Sequence, residues 1–184
     1  MLASSSPRRK QLLEEMGLGF RVDSKGVDEA VPTGLSPTQS AEYLSLLKAN
    51  AFPESDFKQN TLIITADTIV TIDDEILGKP VDKQDAVQIL KKLSGRSHQV
   101  ITGVTIKSMK KTVTFSVSTE VHFNSLLENE INYYIDNFKP YDKAGAYGIQ
   151  EWIGHVAIEW IKGSYFNVMG LPTHRLYIEL LKFV

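Results

Sequence analysis

Apolar residues recur along this chain with two different periods. Leu12, Leu13 and Met16 follow Ser6-Pro7 at helical spacing and run into Gly17, which predicts a first helix capped by serine and stopped by glycine. Residues 20–22 read as a short strand. A second helix is expected from Ser36-Pro37, with Ala41, Leu44, Leu47 and Ala51 as its apolar stripe and Lys48 beside it. Leu62-Ile63-Ile64 is an uninterrupted apolar run, the pattern of a strand buried on both faces. It is expected to end at Ala66-Asp67-Thr68, with β character resuming over Ile69-Val70-Thr71-Ile72 and a turn at Asp73-Asp74. Asp82 and Asp85 cap a third helix, which turns Ala86, Ile89, Leu90 and Leu93 inward and stops at Gly95.

Two longer strands follow at about 97–107 and 112–123, joined by a tight lysine-rich turn. The second alternates strictly, with Val113, Phe115, Val117, Thr119, Val121 and Phe123 on one face. Ser125 and Glu128 have the spacing of a capping box before a helix carrying Ile131, Tyr134, Ile135 and Phe138. A glycine-containing segment (142–150), a strand over 156–161 and a closing helix over 172–182 complete the chain. Helices and strands interleave, yet the 97–123 hairpin demands antiparallel pairing. The fold class is α/β with a mixed sheet.

Composition narrows the function. With 184 residues the chain fits one domain, or two small lobes forming one unit over 1–184. At 42% hydrophobic and 23% charged it is no disordered chain, and no apolar run reaches the ~18 residues of a membrane span. The first residues lack the apolar stretch of a signal peptide, so a cytoplasmic location is expected. Zero cysteines remove disulfides, thiolate metal sites and thiol catalysis together. A net charge of −2 argues against nucleic acid as a partner, since binding phosphate backbones needs a surplus of Lys and Arg.

Four segments carry candidate chemistry. Ser4-Ser5-Ser6-Pro7-Arg8-Arg9 offers hydroxyls and a helix N-terminus to an anion, and two arginines there oppose the helix dipole unless a phosphate sits between them. An ordinary N-cap with two solvated arginines is the bland alternative. Asp67, at the expected end of a buried strand, suits a catalytic carboxylate in the crevice of an open α/β sheet; as an isolated Ala-Asp-Thr it would simply cap a turn. Lys79, in the stiff Gly78-Lys79-Pro80, could clamp phosphate or lie exposed in a turn. Asp28-Glu29 supplies adjacent carboxylates of the kind that hold Mg²⁺ alongside substrate phosphates. His98, His122, His155 and His174 show no metal-ligand spacing. Gly-x-Ser-x-Gly, a phosphate-binding loop ending in Gly-Lys-Ser/Thr, and Gly-x-Gly-x-x-Gly are all absent from the sequence.

In order, Leu2-Ala3-Ser4-Ser5-Ser6-Pro7-Arg8-Arg9, Asp28-Glu29, Lys48-Ala49, Ala66-Asp67-Thr68 and Gly78-Lys79-Pro80 resemble the Maf family of nucleoside triphosphate pyrophosphatases. The resemblance continues through Leu93-Ser94-Gly95-Arg96-Ser97-His98-Gln99-Val100-Ile101-Thr102-Gly103, the 142–150 segment Asp-Lys-Ala-Gly-Ala-Tyr-Gly-Ile-Gln, and 163–172, Gly-Ser-Tyr-Phe-Asn-Val-Met-Gly-Leu-Pro. It implies hydrolysis of a nucleoside triphosphate between the α and β phosphates with Mg²⁺ or Mn²⁺. It also implies an elongated, twisted mixed sheet in two lobes with a central cleft, similar to the inosine triphosphatases. A homodimer is what the resemblance suggests. The 142–150 segment is similar to the branch acting on dTTP and UTP, whereas the 7-methyl-GTP branch differs there. Only Met1 to Ala3 precede the serines, where relatives often carry a longer strand, so a weak edge strand is expected.

The resemblance implies roles residue by residue. Ser4, Ser6, Arg8, Arg9, Lys48 and Lys79 bind the phosphates, Asp67 accepts a proton, Glu29 and Asp67 hold the metal, and Arg8, Thr68 and Gln150 select the substrate. Phosphoanhydride chemistry agrees, because it needs charge neutralisation and an activated water. Whether Asp67 chiefly takes the proton or chiefly binds metal stays open at this level. A nucleotide-binding regulator of cell division is the alternative from another class. Glu29 and Asp67 discriminate against it, because a pure triphosphate binder has little use for carboxylates beside three phosphates.

Overall fold

In the computed structural model, which describes residues 1–53, 55, 57 and 61–183, those residues form seven α-helices and five strands. Helix α1 (Pro7–Glu15) begins where expected. Ser6 Oγ accepts from Arg9 N at 3.4 Å, and Pro7 takes the first helical position, where a missing N–H costs nothing. Helix α2 (Pro37–Asn50) opens with a reciprocal cap: Gln39 N donates to Ser36 Oγ (3.2 Å) and Ser36 N to Gln39 Oε1 (2.9 Å). Its buried side is Ser40, Ala41, Leu44, Ser45 and Ala49, whereas Leu47 and Ala51 are only half-buried. The stripe is turned from the expected one because two serines go inside, each with a backbone acceptor one turn back.

Strand β1 (Ile63–Ile72) does not end at Asp67. It runs unbroken through Asp67 and Thr68, and only its burial relaxes at those two residues. Asp73 and Asp74, both at positive φ (50° and 62°), make the tight turn into β2 (Glu75–Leu77), matching the twist of a two-residue hairpin. Helix α3 (Lys83–Leu93) is capped by Asp82 Oδ1, which accepts from Asp85 N at 2.8 Å, and buries the four expected apolar residues. Strands β3 (Ser97–Lys107) and β4 (Thr112–Phe123) occupy the expected spans.

Helix α4 (Glu128–Phe138) opens at Leu127, not Ser125: Leu127 N donates to Glu130 Oε2 (2.7 Å), while the preceding Leu126 N goes to Ser94 Oγ (2.7 Å). Residues 140–146 make two single 3-10 turns. Val156 closes a short helix, α5 (Trp152–Val156), rather than opening a strand, and β5 is Ile158–Lys162. Two helices finish the chain, α6 (Tyr165–Met169) and α7 (Thr173–Leu180).

The sheet order is β2-β1-β3-β4-β5, and β1–β2 and β4–β5 pair antiparallel. Parallel pairing enters at Leu2, which bridges both Val22 and Ile64. The N-terminal segment is therefore not an edge: Leu2 is fully buried, with Ala3 N on Ile64 O (2.8 Å) and Asp23 N on Leu2 O (3.1 Å). The expected strand at 20–22 shrinks to that single bridge at Val22. Among the described residues no helix is long and apolar enough to cross a membrane.

The chain divides into two compact units, Met1–Thr68 with Thr102–Val117 and Gly170–Val184, and Ile69–Ile101 with Ser118–Met169. In the first, α2 rests directly on β3 at Gly103, where a Cβ would fall 2.2 Å from Ala41 O. Beside that contact runs a buried line of hydroxyls. Thr65 Oγ1 donates to Ser45 O (2.7 Å), Ser45 Oγ meets Thr105 Oγ1 (2.9 Å), and Thr105 Oγ1 meets Thr114 Oγ1 (2.9 Å). In the second unit Leu90, Leu93, Phe123, Ile131, Tyr134 and Ile135 are fully buried.

Candidate active site

The close seating of α2 brings the first charged group into place. Thr65 and Asp67, two apart, share one face of β1, and Ser45 and Lys48, three apart, share one face of α2. With Thr65 bonded to Ser45 O, Lys48 comes to lie over Asp67, its Nζ 2.6 Å from Asp67 Oδ1. Glu29, from the loop before α2, reaches the same ammonium at 3.0 Å. Asp67 and Lys48 side chains are only 13% and 18% exposed, while Glu29 is half exposed. Asp28 Oδ1 instead accepts from Ala30 N (3.2 Å) and shapes the loop. Two carboxylates thus converge on one cation, and the antiparallel strand places Asp67 mid-strand rather than at a carboxyl-end crevice.

A second group gathers around Arg9. Its Nε donates to Gly170 O (2.8 Å), one terminal nitrogen to Thr68 Oγ1 (3.0 Å) and the other to Ser4 Oγ (3.4 Å). Thr68 Oγ1 is also 3.0 Å from Thr102 Oγ1. Loss of water lowers the Arg9 pKa, and the nearby Arg8 charge adds to this, while Asp67 and Glu29 oppose it. An arginine stays charged through such shifts, so the result is a fixed, partly desolvated cation. Ser4 Oγ accepts from Ser6 N (3.2 Å) as well, and Ser6 Oγ caps α1, so both serines organise the turn before α1 with their oxygens. Arg8 is half-buried beside them. Asp67 and Thr68 are adjacent on β1, and Asp67 and Glu29 lie near enough to act on the Arg9 charge, so one short stretch of strand serves both groups.

Lys79 and Gln150 belong to the second unit. Lys79 is exposed on the loop after β2, whose Gly78 O accepts from Gly145 N at 3.1 Å. Gly145 lies at φ +70°, against Val70, where a Cβ would clash at 2.9 Å. Gln150 Oε1 is buried with no partner among the described residues. Buried polar atoms are nearly always paired, so this oxygen is free to accept from a bound molecule or a water.

The residues that sequence reasoning left without a role are Gly170, Thr102 and Gly103. Gly170 sits at φ +119° and turns its carbonyl to Arg9 Nε; a Cβ there would lie 3.6–4.0 Å from the Thr68 and Arg9 side chains, so the backbone angle and not lack of space calls for glycine. The signal was present in Gly170-Leu171-Pro172, where a glycine precedes a stiff proline, but nothing local says which carbonyl an arginine needs. For a divalent cation the donor set fits. Mg²⁺ takes one or two carboxylates and completes its shell with water and phosphate oxygens, and Glu29 and Asp67 offer that much. No group of three or more His, Cys, Asp or Glu able to hold a metal exists among the described residues, so an all-protein cage is not built.

The model of a family described as Maf-like protein matches residues 1–183. A dTTP/UTP pyrophosphatase of Porphyromonas gingivalis is 50% identical over all of this chain and 93% of its own length. One from Bacteroides thetaiotaomicron is 46% identical over 99% of this chain and 94% of its own length. A third, from Cytophaga hutchinsonii, is 51% identical over 99% and 83% respectively.

Proposed function

The chain belongs to the Maf family, and from that premise we propose that it hydrolyses dTTP and UTP to the nucleoside monophosphate and pyrophosphate. The reading rests above all on the pairing of Lys48 with Asp67 and Glu29 beside an Arg9 whose guanidinium is held on three sides. Such an arrangement can neutralise a triphosphate and also activate water, which a plain anion-binding site has no need to do.

Arg9, its fork already oriented, grips phosphate oxygens without first losing side-chain freedom. Arg8 and Lys79 add positive charge, and the hydroxyls of Ser4 and Ser6, which accept from the protein, can donate to phosphate. Lys48 holds Asp67 and Glu29 in place until the substrate arrives, and then serves the phosphates as a point charge. Asp67 takes the proton from the attacking water. Glu29 and Asp67 would hold Mg²⁺ or Mn²⁺, which supplies positive charge to the phosphate oxygens when bound. Gln150, with its unpaired buried oxygen, and Thr68 select the base or sugar, Arg8 contributing to that choice.

The test is a panel of nucleoside triphosphates with Mg²⁺ or Mn²⁺, scored separately for pyrophosphate and orthophosphate. Pyrophosphate from dTTP and UTP in preference to CTP, ATP and GTP is expected. Rapid orthophosphate release from UTP would overturn the reaction, and preference for 7-methyl-GTP would overturn the branch.

A further inference from the structure

A glutamine side chain cannot by itself tell uracil or thymine from cytosine. Its amide has a donor end and an acceptor end, and a half turn exchanges them to suit either base. Discrimination requires that something prevent the half turn. Resting on the proposed selection of dTTP and UTP, we propose that Tyr134, Glu151 and Lys143 are positioning residues that hold the Gln150 amide in the one orientation suited to uracil and thymine.

The amide nitrogen of Gln150 lies close over Gly148, so that a Cβ on Gly148 would come within 2.9 Å of it. Gly148 is itself fixed, because its N–H donates to Tyr134 Oη at 3.0 Å. Tyr134, fully buried on α4, donates its hydroxyl hydrogen bond to Glu151 Oε2. The other carboxylate oxygen of Glu151 lies 3.1 Å from Lys143 Nζ, which also reaches Asp142 Oδ1 at 2.7 Å. Residues 143 and 151 therefore close a loop through an ion pair, and Tyr134 pins its interior next to Gln150. Burial and the Glu151 carboxylate both push the Tyr134 hydroxyl above its ordinary pKa, so it remains a donor at any working pH.

A second tie holds the middle of the same segment: Tyr147 Oη shares a 2.8 Å hydrogen bond with His98 Nε2, both side chains buried. Lys143 and Glu151 side chains are only 9% and 19% exposed. A pair so far removed from water is a poor source of stability, and fixing one geometry is the better-attested use of such pairs. At the end of this framework Gln150 Oε1 is left buried and unpartnered among the described residues.

A network that merely folded the segment would slow every nucleotide alike when broken. A network that orients the amide changes the choice between bases. The measurement is kcat/KM for pyrophosphate release from UTP and CTP by the whole protein, with circular dichroism and thermal melting as controls on folding. Tyr134→Phe is expected to lower the UTP-to-CTP ratio by at least about tenfold, towards the value for Gln150→Ala. Glu151→Gln, which keeps an acceptor for Tyr134 but loses the charge that pairs with Lys143, should lower the ratio less than Tyr134→Phe and about as much as Lys143→Met. If Tyr134→Phe does not fold, Lys143→Met breaks the far end of the same chain and must lower the ratio too. A folded Tyr134→Phe with an unchanged ratio overturns this proposal and leaves the base selection standing. A wild-type ratio near one removes the base selection and the proposal with it.

Discussion

At the scale of single residues, the first unit ties neighbouring side chains of one strand to two different cations. Asp67 pairs with Lys48, and Thr68 next to it holds Arg9, so two consecutive residues anchor two cations. Asp67→Asn keeps the shape and removes the charge. It is expected to lower kcat about 100–10,000-fold, the usual cost of losing a general base, with the folded signal by circular dichroism retained. A purified, folded variant with near-normal kcat under saturating metal would take the proton-accepting role from Asp67. Ser6-Pro7 was readable beforehand as a cap, and the structure brings together Lys48, Asp67 and Glu29, which were singled out in three separate segments. Asp28 and Glu29 were not separable, because nothing in two adjacent acids says which one turns a loop and which one reaches across to Lys48.

At the scale of elements, the site depends on how closely α2 lies on the sheet. Gly103→Ala puts a Cβ 2.2 Å from Ala41 O, and backbone on both sides leaves no flexible tip to yield. Overpacking of this kind costs about 1–3 kcal/mol. Because α2 carries Lys48, the variant should lose kcat/KM as well as stability, read by urea denaturation and pyrophosphate release. Asp82→Ala is the control: it removes the α3 cap at about 1 kcal/mol and should leave kcat/KM unchanged. Long elements with clear periods, α3 and the β3–β4 hairpin, were legible to within a residue. The failures have local causes. Asp67-Thr68 interrupts hydrophobicity without interrupting the strand, since both side chains find polar partners there, Asp67 in Lys48 and Thr68 in Arg9 and Thr102. Helices α5 and α6, five residues each, are too short to display a 3.6-residue period. Ser125 looked like a cap, but Glu130 caps Leu127 from inside the helix.

At the scale of the whole molecule, burial of His98 ties stability to pH. The ring packs edge-on against Phe123 and Tyr147, and loss of water, helped by the His122 charge, lowers its pKa from 6.5 to about 3. Below pH 6.5 the unfolded chain binds a proton that the folded chain refuses. The His98 contribution is therefore whole above pH 6.5 and declines towards pH 3, at roughly 1.4 kcal/mol per pH unit. Urea midpoints should fall across that window and fall less steeply in His98→Gln; an equally steep fall in the variant would assign the slope to other groups. The α/β class and the antiparallel hairpin were evident from periodicity, whereas the N-terminal segment bonded between Val22 and Ile64 was not, because three residues carry no period. The buried hydroxyls beside Gly103 have a consequence for how the sheet assembles. Strands β1 and β3 are buried along most of both faces, so sliding one past the other by a residue would expose no new apolar surface and meet no hydrophobic penalty. Oxygen atoms, unlike methyl groups, accept only the right neighbour. Thr65, Ser45, Thr105 and Thr114 thereby act as an alignment key, which makes mispairing expensive in unmet hydrogen bonds and delivers Asp67 to Lys48 instead of to the opposite face.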